Sequence, residues 1–364
     1  MRVAIDAREL CGHPTGVGRY LNGLLDAWSR SDEARRHEWT LIAHESPKDV
    51  RWPASVEVAA GDGGTAWEQF TLPRAVRASR ADVFFAPGYT APLSVATPLV
   101  LTIHDVSYFA HPEWFSFREG TRRRLLTAWS ARRARAVITD TAFSKTEILK
   151  HIGISEQRIT TIPLGISTDR MNDRTHDRLT DRPMVLYVGS IFERRRVDRL
   201  IAAFDDVIAK VPGATLEIVG ENRTKRPRLD LDALRRRSRH PERITIRSYV
   251  DDRTLAELYQ QASVFAFLSE YEGFGFTPLE ALTAGVPPVL LDTAVARETC
   301  GDAARYVPAT ATNSELAAVI SDLLASPGAR QQVLQHAGEV LGRYSWERAA
   351  AATLSVLAEA AVGH

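Results

Sequence analysis

The sequence predicts an α/β protein made of two doubly wound domains, each with a parallel sheet between helices. Strand-length apolar runs alternate with segments whose apolar residues recur at helical spacing, which is the pattern of parallel α/β sheets. A polar stretch from Ile166 to Pro183 separates two such series and indicates a linker. The 364 residues, 45% of them hydrophobic, are enough to give each domain its own core.

The first domain is predicted over residues 1–167 and the second over residues 168–344. Strands of the first domain are predicted at 3–5, 40–43, 83–86, 99–103 and 137–139. Strands of the second are predicted at 184–188, 215–219, 244–247, 264–267 and 288–291. Helices are predicted near 17–28, 198–209, 254–261 and 278–284, followed by an Ala-rich helical tail over 313–325, 328–344 and 346–360.

Charge and cysteine content argue against several classes of protein. The 46 basic and 45 acidic residues leave a formal net charge of +1, so no overall field favours nucleic acid. Cys11 and Cys300 are far apart and match no metal-binding spacing, so neither a disulfide framework nor a zinc site is expected. The start of the chain lacks the apolar segment of a signal peptide and no 18-residue apolar run occurs, so we expect a cytoplasmic protein.

The most informative segment is residues 269–280, Ser-Glu-Tyr-Glu-Gly-Phe-Gly-Phe-Thr-Pro-Leu-Glu, which follows a predicted buried strand and opens a helix. It places Glu272 and Glu280 eight positions apart. Gly273 and Gly275 permit close approach of backbone to a ligand, and the free N–H groups at the helix start can bind a phosphate or a sugar hydroxyl. Glu280, one turn into the helix, can bind a diol such as a ribose.

This E-x(7)-E arrangement closely resembles the signature of the family 4 retaining glycosyltransferases of the GT-B fold, and the resemblance covers nearly the whole chain. It implies two Rossmann-like domains that face a cleft, with a C-terminal helix, residues 345–364, packed back on the first. It also implies transfer of a sugar from a nucleoside diphosphate sugar to a hydroxyl, with retained anomeric configuration and without a metal or other cofactor.

The resemblance assigns the site residue by residue. Glu272 and His104 would contact the donor sugar as the catalytic pair, and Glu280 would hold the ribose. Other positions would bind the donor through backbone or charge: Gly16, Gly18, Gly189, Arg194, Arg195, Tyr249, Gly273, Phe274, Gly275, Phe276 and Thr277. Relatives commonly carry an Arg-Lys pair that neutralises the diphosphate, and this sequence has Arg195 where the lysine is usual.

Residues 104–115 and 143–145 look most like those of bacterial mannosyltransferases that build polysaccharides, which favours GDP-mannose as donor and a glycan or lipid-linked acceptor. Residues 118–135 hold seven arginines and one glutamate with apolar residues between them. This stretch predicts either peripheral contact with an anionic membrane at its inner face or a solvated helix face, since the chain has 41 arginines against 5 lysines.

Three alternatives need weighing. A UDP-sugar epimerase shares this architecture, but the two glutamates around Gly-Phe-Gly-Phe argue against it. A glycan phosphorylase would need a lysine to hold its cofactor, and none of the five lysines lies in a suitable loop of the expected cleft. A catalytically silent sugar-nucleotide-binding protein would not need both glutamates and His104.

Asp230 to Asp232 spell the D-x-D of metal-dependent transferases, but they lie in an Arg-rich helical stretch and are interpreted as a helix start.

Overall fold

The computed structural model describes residues 1–12, 16–47, 55–167, 182–225 and 228–362. The chain divides into two compact units, one formed by Met1–Gly165 with Tyr344–His364 and the other by Ile166–Arg343. The central part of the predicted linker, residues 168–181, lies outside the described residues.

The first unit is built on a parallel sheet whose described strands have the order β3-β2-β1-β4-β5-β6-β7. The strands are β1 (Arg2–Asp6), β2 (Glu38–Ala43), β3 (Ser55–Val58), β4 (Val83–Ala86), β5 (Leu99–Thr102), β6 (Ala136–Thr139) and β7 (Ile159–Thr161). Its helices are α1 (Gly16–Ser29), α2 (Leu72–Ser79), α3 (Ser107–Ala110), α4 (Phe117–Arg133) and α5 (Ala142–Ile152). The chain reverses its direction of winding between β1 and β4, and ligands of such sheets bind beside the carboxyl ends of the strands at that point.

The second unit repeats this plan with the strand order β10-β9-β8-β11-β12-β13. The strands are β8 (Met184–Val188), β9 (Thr215–Val219), β10 (Ile244–Arg247), β11 (Ala262–Phe267), β12 (Pro288–Leu291) and β13 (Arg305–Val307). Its helices are α6 (Val197–Lys210), α7 (Leu231–Arg237), α8 (Asp252–Gln261), α9 (Phe276–Thr283), α10 (Ala294–Cys300), α11 (Asn313–Ala325), α12 (Pro327–Leu334) and α13 (Ala337–Leu341). Winding reverses between β8 and β11, so the loops after these two strands border the expected ligand site.

The last helix, α14 (Trp346–Val362), packs on α1 and completes the core of the first unit. The indole Nε1 of the buried Trp28 donates to the carbonyl of Ala350 at 2.9 Å. The ring of Trp346 lies against Gly23 and Gly165, where an added Cβ would overlap it. The predicted α/β class, with two Rossmann-like domains and a returning C-terminal helix, is therefore confirmed.

The structure differs from the predicted elements where the sequence carries little hydrophobic pattern. The strand β3 has largely exposed side chains, so it presents no apolar run. The strands β7 and β13 are three residues long, too short for a visible alternation. The single helix predicted over 328–344 is two helices, α12 and α13, in a stretch that contains the poor helix formers Gly338 and Gly342.

Candidate functional site

The loops after β8 and β11 meet at the carboxyl ends of two paired parallel strands. The loop after β8 contains a 3₁₀ turn, Glu193–Arg195, and the loop after β11 leads into α9. The backbone N–H of Glu270 donates to the carbonyl of Arg194 at 2.9 Å, which fastens the two loops together. The residues that the sequence assigns to the donor site in these two loops therefore lie together at the carboxyl ends of β8 and β11.

Arg195 and Glu272 form a bidentate ion pair in this place. The Nε of Arg195 donates to Oε1 of Glu272 at 2.7 Å, and Nη2 donates to Oε2 at 3.1 Å. Ser269 also donates its hydroxyl to Oε1, at 2.8 Å. The sequence assigned Arg195 to a diphosphate and Glu272 to a sugar, whereas the structure binds these two side chains to each other.

Glu272 is held in its ionised form. Burial alone would raise the pKa of its carboxyl, but the charges of Arg195 and Arg194 outweigh burial and the pKa is lowered from its ordinary value. The same pairing raises the pKa of Arg195 despite its burial. The carboxylate of Glu272 can therefore only accept hydrogen bonds, which suits a ligand that offers hydroxyl groups.

Arg194 and Arg196 flank this pair with different partners. The guanidinium of Arg194 lies 4.4 Å from the ring centre of Phe192, and its Nε donates to the carbonyl of Tyr271 at 3.3 Å. Arg196 pairs with Glu270 at 2.7 Å. The Arg196–Glu270 pair was not predicted, because the charge run Arg194–Arg196 does not show from sequence which arginine meets which acid.

The start of α9 has the form that the glycine spacing predicts. Gly275 precedes the helix with φ at +94°, a conformation that favours glycine. Phe274 and Phe276 pack edge to face across it, with ring centres 5.3 Å apart, and the loop runs from Gly273 into the helix at Phe276 and Thr277. Glu272 lies four residues before the first turn of α9, and Gly275 and Pro278 at this helix start line the same pocket as Glu272. The N–H groups of such a helix start can bind an anion.

Glu280 lies on α9 and is buried, with 8% of the residue exposed. The hydroxyl of Tyr259, on α8, donates to its Oε2 at 3.3 Å. Tyr259 was not predicted, although its position on a helix beside the sheet could have suggested a buried polar partner. The predicted role of Glu280 at a ribose stays a prediction.

A pocket opens beside the loop after β11. It is lined by Ser269, Glu272 and Gly275 from this loop and by Leu290, Leu291, Thr293 and Val295, among others. The pocket therefore adjoins the ionised carboxylate, whereas Glu280 is outside its lining.

Gly189 lies beside Arg195, whereas Tyr249 follows a strand at the edge of the second sheet. A Cβ at Gly189 would lie 2.8 Å from Nη1 of Arg195, so this glycine, with φ at +141°, makes room for the guanidinium. Tyr249 follows the edge strand β10, two strands from β8, and is 77% exposed. The predicted contacts of these two residues with a donor stay predictions.

His104, just after β5 in the first unit, is bonded through both ring nitrogens. Its Nδ1 lies 2.7 Å from Oδ2 of Asp140 and its Nε2 lies 2.9 Å from the carbonyl of Pro87. Burial would lower the pKa of the imidazole, but the Asp140 carboxylate and the Pro87 carbonyl outweigh it and the net pKa is raised. A sugar contact through either nitrogen would need one of these bonds to break.

Gly16 and Gly18, which the resemblance assigns to donor binding, lie in a helix and not in a loop. They form the first turn of α1, and residues 13–15 before it lie outside the described residues. Gly18 is buried. A contact with donor phosphates would have to come from the N–H groups of this helix start.

A buried charge cluster at the end of β1 was missed by the sequence analysis. The Nη2 of Arg8 lies 2.5 Å from Oδ2 of Asp6 and 3.0 Å from Oε1 of Glu68, which is in a π-helical turn. An acid at the end of a buried apolar strand, as Asp6 is, was the available signal. No motif or spacing around Glu68 predicts its contact with Arg8.

The segment Asp230–Asp232 lies at the start of α7. Asp230 caps α7 by accepting from the N–H of Ala233 at 2.8 Å, so the helix-start interpretation of the D-x-D is confirmed. Within the described ranges, three side chains able to bind a metal come together at Cys11, His44 and Glu45, whose ligand atoms lie within 4.8 Å of one another. No helix in the same ranges is long and apolar enough to cross a bilayer.

Two family models match the chain in succession. Residues 14–170 match the model described as Glycosyltransferase Family 4, and residues 169–340 match Glycosyl transferases group 1. The chain therefore resembles both glycosyltransferase models, one over most of the first unit and the other over most of the second, and its fold is of the GT-B type.

Individual relatives agree with this class. Glycogen synthase of Mycobacterium tuberculosis is 29% identical over 261 residues, which are 71% of this chain and 62% of that protein. O-antigen chain mannosyltransferase B of Escherichia coli is 26% identical over 237 residues, which are 63% of this chain and 62% of that protein. The chain thus matches less than two thirds of the length of these curated relatives.

A solved structure matches the whole chain. The Anabaena protein HepE in complex with UDP-glucose has a TM-score of 0.74 and 18% identity, and the match covers 98% of this chain and all of that one. At this identity the likeness concerns the fold.

Proposed function

We propose that the protein transfers a sugar from a nucleoside diphosphate sugar to a hydroxyl group with retention of the anomeric configuration. The observation that carries the proposal is the ionised, acceptor-only Glu272, held beside a pocket and beside the helix start of α9 at the switch point of the second sheet. The complex of HepE with UDP-glucose supports a nucleotide sugar as the ligand class.

Each residue of this site has a proposed role. Glu272 accepts hydrogen bonds from donor-sugar hydroxyls, and Glu280 binds the ribose. Breaking the anomeric bond gives the sugar oxocarbenium character and leaves negative charge on the diphosphate. Arg194 and the first-turn N–H groups of α9 stabilise that charge, so the reaction proceeds without a metal. His104 is proposed as a second catalytic residue on the strength of the family resemblance.

We propose GDP-mannose as the donor. The mannosyltransferase among the relatives supports this choice, and the glycogen synthase match makes a glucose donor the main competitor. A panel of nucleotide sugars tested by thermal shift decides between them, because a ligand that binds the folded chain at free concentration c stabilises it by RT ln(1 + c/Kd), so at equal concentration the tighter ligand raises Tm more. GDP-mannose and GDP should raise Tm more than UDP-glucose and UDP. The reverse order would overturn the donor assignment.

A catalytically silent sugar-nucleotide-binding protein is the second candidate. Slow release of free mannose from GDP-mannose in the absence of acceptor requires an active site, and the Glu272→Gln variant should abolish most of it while GDP binding persists. Binding without any hydrolysis or transfer would favour the silent protein.

The acceptor is proposed to be a glycan or lipid-linked hydroxyl reached at an anionic membrane surface. Arg118, Arg122, Leu125 and Trp129 lie at helical spacing on α4 and are exposed. A basic face with an exposed indole suits the headgroup region of such a membrane. Co-sedimentation should be stronger with vesicles containing phosphatidylglycerol than with phosphatidylcholine alone, and Trp129→Ala should weaken it. Equal sedimentation with both vesicles would support the solvated helix face.

A further inference from the structure

Arg195 is fixed on several sides before any ligand is considered. Its guanidinium carbon lies 5.0 Å from the ring centre of Phe267 and 5.5 Å from that of Phe192. Its Nη1 donates to the carbonyl of Ser190 at 2.9 Å, and the missing Cβ of Gly189 leaves it space. Because the guanidinium is planar and enclosed, its Nε and Nη2 point in one direction, and that direction is occupied by Glu272.

The carboxylate of Glu272 has few acceptor positions left. A carboxylate offers about four lone-pair sites, two on each oxygen. Oε1 accepts from both Arg195 Nε and Ser269 Oγ, and Oε2 accepts from Arg195 Nη2. Counting the contacts made by the described residues, one acceptor position on Oε2 remains, and Glu272 lines the pocket.

We propose that Arg195 is a positioning residue that presents a single acceptor position of Glu272 to one hydroxyl of the donor sugar. This role rests on the proposed function. Since the charges of Arg195 and Glu272 cancel locally, the pair neither repels nor attracts the diphosphate strongly, and Arg194 with the start of α9 supplies the attraction. The ligand group that meets Oε2 must donate a hydrogen bond, so a fluorine or hydrogen in place of that hydroxyl is rejected.

Lysine in place of Arg195 keeps the charge and loses the two-pronged geometry. We expect Arg195→Lys to lower kcat at least about tenfold while the donor KM changes little, because the lost orientation matters in the transition state. Arg194→Lys should instead raise KM. The matched control is Arg196→Lys in the same loop, whose native partner is the half-buried Glu270, and its kinetics should stay near those of the wild type.

The pH profile separates orientation from charge. The charges of Arg195 and Arg194 act on Glu272, the charge of Glu272 acts on the phenol of Tyr187, and Ser269 contributes a neutral hydroxyl. Removing the Arg195 charge with Arg195→Gln should raise the pKa of Glu272 and move the acid limb of kcat/KM to higher pH. Arg195→Lys should leave that limb in place although its kcat is low. A residue that only stabilises the fold would move neither.

The deciding experiment is steady-state kinetics of the wild type and these variants with the donor that the thermal-shift panel selects, together with its mono-deoxy and mono-fluoro analogues. The proposal expects one hydroxyl whose removal costs the wild type at least about tenfold in kcat/KM and costs Arg195→Gln much less. It is overturned if Arg195→Lys keeps wild-type kcat, if it raises KM as Arg194→Lys does, or if no analogue is discriminated. A wild type that turns over no nucleotide sugar overturns the proposed function itself, and the inference with it.

Discussion

The imidazole of His104 lies between two acceptors, the carboxylate of Asp140 at 2.7 Å from Nδ1 and the carbonyl of Pro87 at 2.9 Å from Nε2. Burial raises the pKa of Asp140 and the charge of His104 only partly offsets this. When Asp140 is ionised, neither it nor the carbonyl of Pro87 can donate, so both ring nitrogens of His104 are protonated when both bonds are made. His104 is then a largely buried cation held by a buried anion, and the stability of the first unit should depend on pH.

Replacing His104 by Gln tests this relationship. Because the pKa of His104 is raised in the folded chain, its stabilising contribution is fully present below the unfolded pKa of about 6.5 and is lost as pH rises through the folded pKa. The free energy of unfolding should therefore differ most between wild type and variant near pH 5 to 6, and the difference should shrink at higher pH. Denaturant unfolding at several pH values measures it, with His111→Gln, at a half-exposed site, as control. A difference independent of pH would contradict the charged pair.

Replacing Glu280 by Ala tests the ribose site. We expect nucleoside diphosphate affinity to fall by at least about tenfold, or roughly 1.4 kcal/mol, because the variant leaves ribose hydroxyls without an acceptor. Calorimetric titration with GDP measures it. Tyr259→Phe removes the internal donor to Glu280 and keeps the carboxylate, so it should retain affinity. Loss of binding in Tyr259→Phe but not in Glu280→Ala would reverse the assignment.

Chelation tests the metal-free mechanism. Arg194 and the first-turn N–H groups of α9 are proposed to balance the diphosphate charge, so turnover should persist in excess EDTA. The group Cys11, His44 and Glu45 belongs to the first unit, whereas Arg194 and α9 belong to the second. Turnover that disappears with EDTA and returns with manganese or magnesium would refute the proposal.

The contact of Gly23 with Trp346 gives a prediction whose sign opposes helix propensity. Alanine in a helix normally stabilises over glycine by about 1 kcal/mol. At Gly23 the added Cβ would lie 2.5 Å from the Trp346 ring, so Gly23→Ala should lower Tm. In a Trp346→Ala background, itself destabilised by roughly 3–5 kcal/mol, the same substitution should be neutral or stabilising. Thermal unfolding of the four proteins measures the coupling, and additive effects would show that the ring does not press on Gly23.

The fold could be predicted because its central strands are continuous apolar runs. The strands β1, β4, β5, β8, β11 and β12 are buried, and burial on both sides of a parallel sheet requires such runs. Edge strands such as β3 need no apolar residues on their exposed side, so they leave no comparable pattern.

The candidate site was predicted less completely than the fold. The segment around Glu272 carries its glycines and acids within one loop, where spacing alone brings them together. The pairing of Arg195 with Glu272 joins residues 77 positions apart, and spacing in the sequence does not tell which of three adjacent arginines faces the acid. For the same reason, the contact between Glu68 and Arg8 could not be predicted from the sequence.

The first unit is assembled from both ends of the sequence, since α14 covers α1 after the entire second unit has intervened. During synthesis, the ribosome therefore releases all strands of the second unit before the helix that seals Trp28 has been made. Until α14 has been made, part of the core of the first unit is exposed to solvent. Apolar surface exposed in this way promotes aggregation and is what chaperones bind.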